Sequence, residues 1–154
     1  MDNKNTKTLY RKIKKLKPVD TSYIAGLIDG EGTITLSRKN WWRQRCLTVV
    51  ISNNEYKILK WTLGTIGTGI ITKKRTYKKE HSPSFAYKIH NQQALSLLEK
   101  ITPYMQSYKK ERAKLVLKNY TKLTPRNGKY SKDILNKREK FIETFFKMKP
   151  KVFE

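Results

Sequence analysis

The segment Ile24-Ala25-Gly26-Leu27-Ile28-Asp29-Gly30-Glu31-Gly32 holds the residues best placed to do chemistry. Glu31 stands between two glycines, directly after an apolar stretch. That pattern ends a helix and turns the chain into something extended, leaving one carboxylate at the helix end. A carboxylate there is a hard oxygen donor of the kind hard cations take. Asp29 lies two residues earlier and suits helix-end geometry or packing better than metal binding. Other chemistries find no support. His81 and His90 are the only histidines, far apart and without ligand spacing. Cys46 is the only cysteine, so neither an internal disulfide nor a Cys-based zinc site can form. No Ser/His/Asp pattern and no phosphate-binding glycine loop is present.

The elements around this segment follow from periodicity. Thr8 to Lys17 reads as a short basic helix or arm ended by Pro18. Asp20, Thr21 or Ser22 caps a helix from Tyr23 to about Asp29. Beyond Gly32 the chain alternates: Thr33, Thr35, Ser37 and Lys39 share one face, Ile34 and Leu36 the other. Asn40-Trp41-Trp42 turns into a second strand, Arg43 to Asn53. There Leu47, Val49 and Ile51 oppose Gln44, Cys46, Thr48, Val50 and Ser52. Asn54 caps a helix that ends at Gly67 and Gly69. Ile70 to Tyr77 and Phe85 to His90 form a second hairpin, with Phe85, Tyr87 and Ile89 assigned to the core and Lys88 to the opposite face. Asn91 caps a helix broken at Pro103, and Lys109 to Leu123 makes another. After the Pro125–Gly128 linker, Lys132 to Lys149 is an amphipathic basic helix. The order predicts an α+β domain, αββαββα, with an antiparallel four-stranded sheet, helices on one face and extra basic terminal helices. We divide it into a basic arm (1–19), a core (20–124) and a basic C-terminal helix (131–154).

The chain has 154 residues, enough for one domain with a real core. Its 35 Lys and Arg against 12 Asp and Glu give a net charge of +23. Such a surface calls for a polyanion, with nucleic acid ahead of an anionic membrane. No apolar run approaches the roughly 18 residues that a membrane helix needs, and no secretory signal is visible. A lone cysteine fits a reducing, intracellular compartment, a bacterial cytoplasm or an organelle.

The glycine–acid segment resembles the signature of the LAGLIDADG homing endonucleases. The similarity continues through Ile66-Gly67-Thr68-Gly69 and Ile101-Thr102-Pro103-Tyr104-Met105, followed by Lys109, and covers about 100 residues. Ala25 and Gly26 are small and lie on a helix, so a second helix can approach closely. In the family the motif helix packs on its own copy. One motif per chain then implies a homodimer with Ala25, Gly26 and Asp29 at its interface. Symmetry would bring two Glu31 carboxylates together, which repel unless cations sit between them. The resemblance implies a divalent metal, Mg²⁺ with Mn²⁺ as substitute, on Glu31 and the Gly30 carbonyl. It aligns Lys109 with a catalytic lysine and Asn53 with a residue that positions water. The family more often has Asp where this chain has Glu31.

The same resemblance places the polar strand face on double-stranded DNA. By alternation the candidates are Thr33, Thr35, Ser37, Lys39, Gln44, Thr48, Thr72, Lys74, Thr76 and Lys88. The expected activity is an intron-encoded, site-specific double-strand endonuclease on a long pseudo-palindrome. Two rivals stand beside it: an intron RNA-binding maturase, and a DNA-binding protein without cleavage.

Overall fold

In the computed structural model, which describes residues 11–153, ten elements follow one another. They are α1 (Pro18–Glu31), β1 (Gly32–Ser37), β2 (Cys46–Asn53), α2 (Tyr56–Ile66), β3 (Ile70–Lys73), β4 (Phe85–His90), α3 (Asn91–Ile101), a 3₁₀ turn (Thr102–Tyr104), α4 (Lys109–Asn119) and α5 (Lys132–Lys147). The α+β class and the αββαββα order are as expected from sequence.

The four strands form one antiparallel sheet in the order β1-β2-β4-β3. Ile34 faces Val49, and Val49 faces Ile89, so one side of the pleat is continuously apolar across three strands. These side chains are fully buried together with Ile24, Ala25 and Ile28 of α1, Leu59 and Ile66 of α2, Leu97 and Leu98 of α3, and Val116 of α4. Burying each large aliphatic side chain contributes about 1.5–3 kcal/mol. That is why alternation in the strands and helical spacing elsewhere were sufficient to specify the layers.

Several boundaries moved. Helix α1 begins at Pro18, not near Tyr23. Pro occupies the first helical position, where the missing N–H costs nothing. Thr21 and Ser22 do not cap; their hydroxyls donate to the Lys17 and Pro18 carbonyls one turn back. Residues 11–17 are not helical, while residues 8–10 of that expected element lie outside the described residues. The arm is held instead by Lys14, whose N–H donates to Ile66 O at 2.8 Å and whose Nζ donates to Gly64 O at 3.0 Å. The expected caps also differ. Asn53, rather than Asn54, accepts from Glu55 N at 2.8 Å, and the Asn91 carboxamide accepts from Tyr120 Oη at 2.7 Å. Tyr120 Oη in turn accepts from Leu47 N at 3.0 Å.

Helix α5 is folded into the core: Phe145 is fully buried and Phe141 nearly so. Two arginines lock it there. Arg138, 2% exposed, donates to Leu123 O at 2.7 Å and Thr124 Oγ1 at 2.8 Å, and also to Arg45 O. Arg112, 8% exposed, donates to Ile34 O at 3.1 Å and Met148 O at 3.0 Å, with its guanidinium 4.7 Å from the Phe145 ring centre. Guanidinium tolerates this burial because its planar fork is met by carbonyls and aromatic faces.

Candidate functional site

The site is built on the turn from α1 into β1. Gly32 N donates to Ile28 O as the helix ends. A Cβ on Gly32 would stand 2.6 Å from Ile28 Cα and 2.8 Å from Ile28 O, so only glycine fits this turn. Glu31 is exposed at the last helical position. Its carboxylate has no hydrogen-bond or ion-pair partner among the described residues. Gly30 is also exposed, with open space where a side chain would be.

Lys109 comes to the same place from α4. It is 8% exposed, and its Nζ donates to Ile28 O at 2.9 Å and Asp29 O at 2.7 Å. A cation at a helix's carboxyl end is favoured by the partial negative charge there. Burial nevertheless pushes the Lys109 ammonium below its ordinary value of 10.5, with Arg112 acting in the same direction and the Asp29 and Glu31 charges opposing. An ammonium has three donors, so two carbonyls leave one free.

Asp29 sets up that delivery. Its Oδ2 accepts from Gln106 N at 2.7 Å, and its Oδ1 accepts from Ser107 N at 3.2 Å and Ser107 Oγ at 2.5 Å. Ser107 Oγ also accepts from Lys109 N at 3.3 Å. The carboxylate expected at an interface is thus occupied within its own chain. Ala25 is corrected likewise: it is fully buried in the chain's own core, so a second helix cannot reach it. Gly26 does lie exposed, on a stripe with Val19, Tyr23 and Gly30. Asn53 ends β2; since Gly32 faces Ile51, Asn53 lies at the same end of the sheet as Glu31.

The strand face divides unevenly. Thr33 is exposed, Thr35, Ser37 and Lys88 are half-buried, and Thr33 faces Val50, which faces Lys88 and then Ile70. Thr48 lies on this face but is only 3% exposed. Its hydroxyl is 2.6 Å from Ser37 Oγ and 3.1 Å from His90 Nδ1, so it supports its neighbours from beneath. His90 is pushed below its usual value by burial and then by the Lys88 charge. Thr72 is in β3. Lys39, Gln44, Lys74 and Thr76 lie beyond the strands on exposed hairpin connections, because β1, β2 and β3 are shorter than the sequence suggested.

Sequence reasoning missed Ser107, Arg112 and His90. A serine two residues before a helix was a usable signal for the first. The others depend on partners 36 to 78 residues away, which no local pattern carries.

No family profile matches the chain, and no curated protein matches it. Solved structures do. The homing endonuclease I-CvuI, in complex with its target in the presence of Ca, is 20% identical with a TM-score of 0.68; the match covers 87% of this chain and 84% of that one. The archaeal intron-encoded homing endonuclease I-Vdi141I, complexed with DNA, is 18% identical with a TM-score of 0.68, covering 88% and 87%. The LAGLIDADG meganuclease I-AabMI, bound to uncleaved DNA, is 21% identical with a TM-score of 0.56, covering 79% of this chain but only 42% of that one.

Proposed function

We propose that this chain, built on the fold of the LAGLIDADG homing endonucleases, is a site-specific DNA endonuclease that works with a divalent cation as a homodimer. The observation that carries it is the convergence of Glu31 and Lys109. An unpaired, exposed carboxylate stands at the end of α1, and a buried ammonium is fixed to the last carbonyls of the same helix.

The donor set suits a hard cation. No group of three or more His, Cys, Asp or Glu side chains gathers among the described residues. One carboxylate and a backbone carbonyl per chain leave positions for water and phosphate, as Mg²⁺ prefers and Mn²⁺ tolerates. Glu31 and the Gly30 carbonyl would hold the ion, which when bound supplies water activation and charge stabilisation at the leaving oxygen. Lys109 keeps one N–H for the scissile phosphate. Asn53, whose Oδ1 is taken by Glu55 N, has its amide NH₂ left to orient water at that end of the sheet.

The exposed α1 stripe supports the second copy. Gly26 and Gly30 present no side chain, so two α1 helices can cross closely there. The match to under half of the I-AabMI chain supports this, since a chain of that length has room for two such units. Two sheets would then read a pseudo-palindrome of roughly 20 base pairs. Thr33, Thr35, Ser37, Thr72 and Lys88 would meet the groove directly, and the exposed Lys39, Gln44, Lys74 and Thr76 would meet it from the hairpin connections.

Selection of cleaved molecules from a random duplex library, with and without Mg²⁺, tests this. Recovery of one metal-dependent cut site is expected. No enriched site in any metal, together with specific retention of structured RNA, would favour RNA binding instead.

A further inference from the structure

We propose that a cationic cleft on the helical side of the molecule holds the sugar–phosphate backbone of a second DNA segment, separate from the duplex under the strand face. The enzyme would then pass from one DNA segment to another without first letting go. This rests on the DNA-cleaving function proposed above.

The cleft lies between the arm, α3 and the turn that precedes α5. Helix α3 buries Ala94, Leu97, Leu98 and Ile101. Gln92, Ser96 and Glu99 follow one another at helical spacing on its opposite side, so they look away from the sheet. The arm runs past them. Arg11 O accepts from Gln93 Nε2 at 2.5 Å, and Lys14 is tied to Ile66 O and Gly64 O. Held at both ends, the arm presents Lys12 to a cleft of about 650 Å³ that Gln92, Ser96, Glu99, Lys100 and Arg126 also line. Arg126 arrives from a turn that Gly128 N closes by donating to Pro125 O at 3.2 Å. A smaller cleft shares Lys100 and adds Lys15.

Charge selects the partner. Lys12, Lys15, Lys100 and Arg126 meet one carboxylate, Glu99, and all five side chains are exposed. The ion pairs among the described residues are Lys114–Glu111 and Lys137–Asp133, which include none of them. The fold does not use these four cations: the arm is fastened by Lys14, by Gln93 and by backbone groups. Like charges kept close by a fixed backbone repel, and a bound anion relieves the repulsion. The donors suit phosphate, with a guanidinium fork, ammonium groups and the Gln92 carboxamide. Among the described lining residues of the larger cleft none is aromatic, so unpaired bases find no stacking platform there. That favours a duplex backbone over single-stranded RNA.

Position gives the cleft its use. Helix α3 packs on the apolar side of the sheet, and the proposed reading face is the other side. A duplex under the strands does not reach Lys12 or Arg126. A site-specific protein must sort its target from a large excess of other DNA. Phosphate contacts carry no base information, so a backbone cleft takes any segment. Holding the next segment close raises its effective concentration at the reading face before the last one is released.

The test uses the full chain preloaded on the selected target duplex, with EDTA to stop cleavage. The target carries a donor dye, and a second duplex of unrelated sequence carries an acceptor. Energy transfer between them is expected, fading as salt rises. Release of the target should quicken as the unrelated duplex is added. Lys12→Gln/Lys15→Gln/Lys100→Gln/Arg126→Gln should bind the second duplex at least about tenfold more weakly, since four phosphate partners are removed. Its melting temperature, and its cutting rate with Mg²⁺ at saturating protein, should match the parent's. Glu99→Gln should do the reverse and strengthen energy transfer. Lys114→Gln/Lys118→Gln/Lys122→Gln/Lys140→Gln changes net charge equally but lies on α4, α5 and the turn between them, and should keep it. If this control loses energy transfer as fully, bulk charge explains the uptake and the cleft is overturned. Energy transfer unchanged in the cleft variant, with cutting intact, overturns the cleft and leaves the endonuclease standing. A loaded complex that takes up structured RNA and refuses the unrelated duplex overturns the DNA partner. A parent that neither binds nor cuts any duplex overturns both proposals.

Discussion

Asp29 holds Lys109 in place from two directions. Its carboxylate accepts from Gln106 N, Ser107 N and Ser107 Oγ just ahead of α4, while its backbone carbonyl accepts from Lys109 Nζ at 2.7 Å. The last turn of α1 and the first turn of α4 are therefore one unit, and the cation and the Glu31 carboxylate are presented by the same joint.

Asp29→Asn tests that joint. An amide cannot accept on both ends, so one of the N–H donors at Gln106 or Ser107 is left facing an NH₂. The expected cost is about 1–3 kcal/mol of stability, typical for a hydrogen bond to a charged group. Thermal unfolding should reveal it, and cleavage should fall further than DNA affinity. Unchanged stability would mean that the carboxylate is dispensable to the turn.

Glu31→Gln should behave oppositely. Glu31 is exposed and makes no hydrogen bond, so the melting temperature should move little, by no more than the loss of its attraction for the Lys109 ammonium. Metal-dependent cleavage should drop by at least about a hundredfold, the scale for removing a group that organises charge at the reacting centre, with specific binding retained. Full Mg²⁺-dependent nicking by this variant would sink the proposed mechanism.

Lys109 makes a prediction about pH. Its folded-state pKa is lowered, mainly by burial. Between that lowered value and 10.5 the unfolded chain binds more protons than the folded one. Stability contributed through Lys109 therefore rises with pH across that window and is lost as pH falls through the folded pKa. Chemical denaturation of the parent and of Lys109→Met should diverge accordingly, with the parent gaining relative to the variant as pH approaches 10.5. A difference flat with pH would contradict the desolvated ammonium.

Gly32→Ala should damage folding, because the added carbon meets Ile28 backbone atoms at 2.6 and 2.8 Å. A cost of about 1–3 kcal/mol is expected for this overpacking, visible as a lower denaturation midpoint.

Gly26→Leu separates folding from association. A Cβ there meets nothing within 4 Å in the chain, so the monomer should fold as the parent does. Sedimentation of the DNA complex should show loss of the two-chain species. One chain per cleaved site in the parent itself would refute the homodimer.

The strands were legible because their alternation is local: Ile34 and Leu36, then Leu47, Val49 and Ile51, fall on the buried side as read. Glu31 was legible because two glycines frame it. Thr48 was misjudged, since alternation gives the side of the sheet but not how deeply neighbours cover it. Arg112 and Arg138 look like surface cations in any window of sequence. Their burial depends on carbonyls of Ile34, Leu123 and Arg45 that only the folded chain brings near. The Asn91 and Asn54 caps failed for a similar reason: a distant tyrosine hydroxyl and a neighbouring carboxamide took over the available hydrogen bonds.

The contact of Thr48 with both Ser37 and His90 joins three strands through one hydroxyl. A hydroxyl has a single proton to give, so each partner's role is set by what the other accepts. Exchange of Thr48 alone would take the shared partner from both Ser37 and His90, while exchange of either of those would leave Thr48 with one contact in place of two. On the DNA-reading face proposed above, Ser37, Thr48 and His90 would have to be rewritten together, whereas Thr33, which shares none of these hydrogen bonds, could be changed alone.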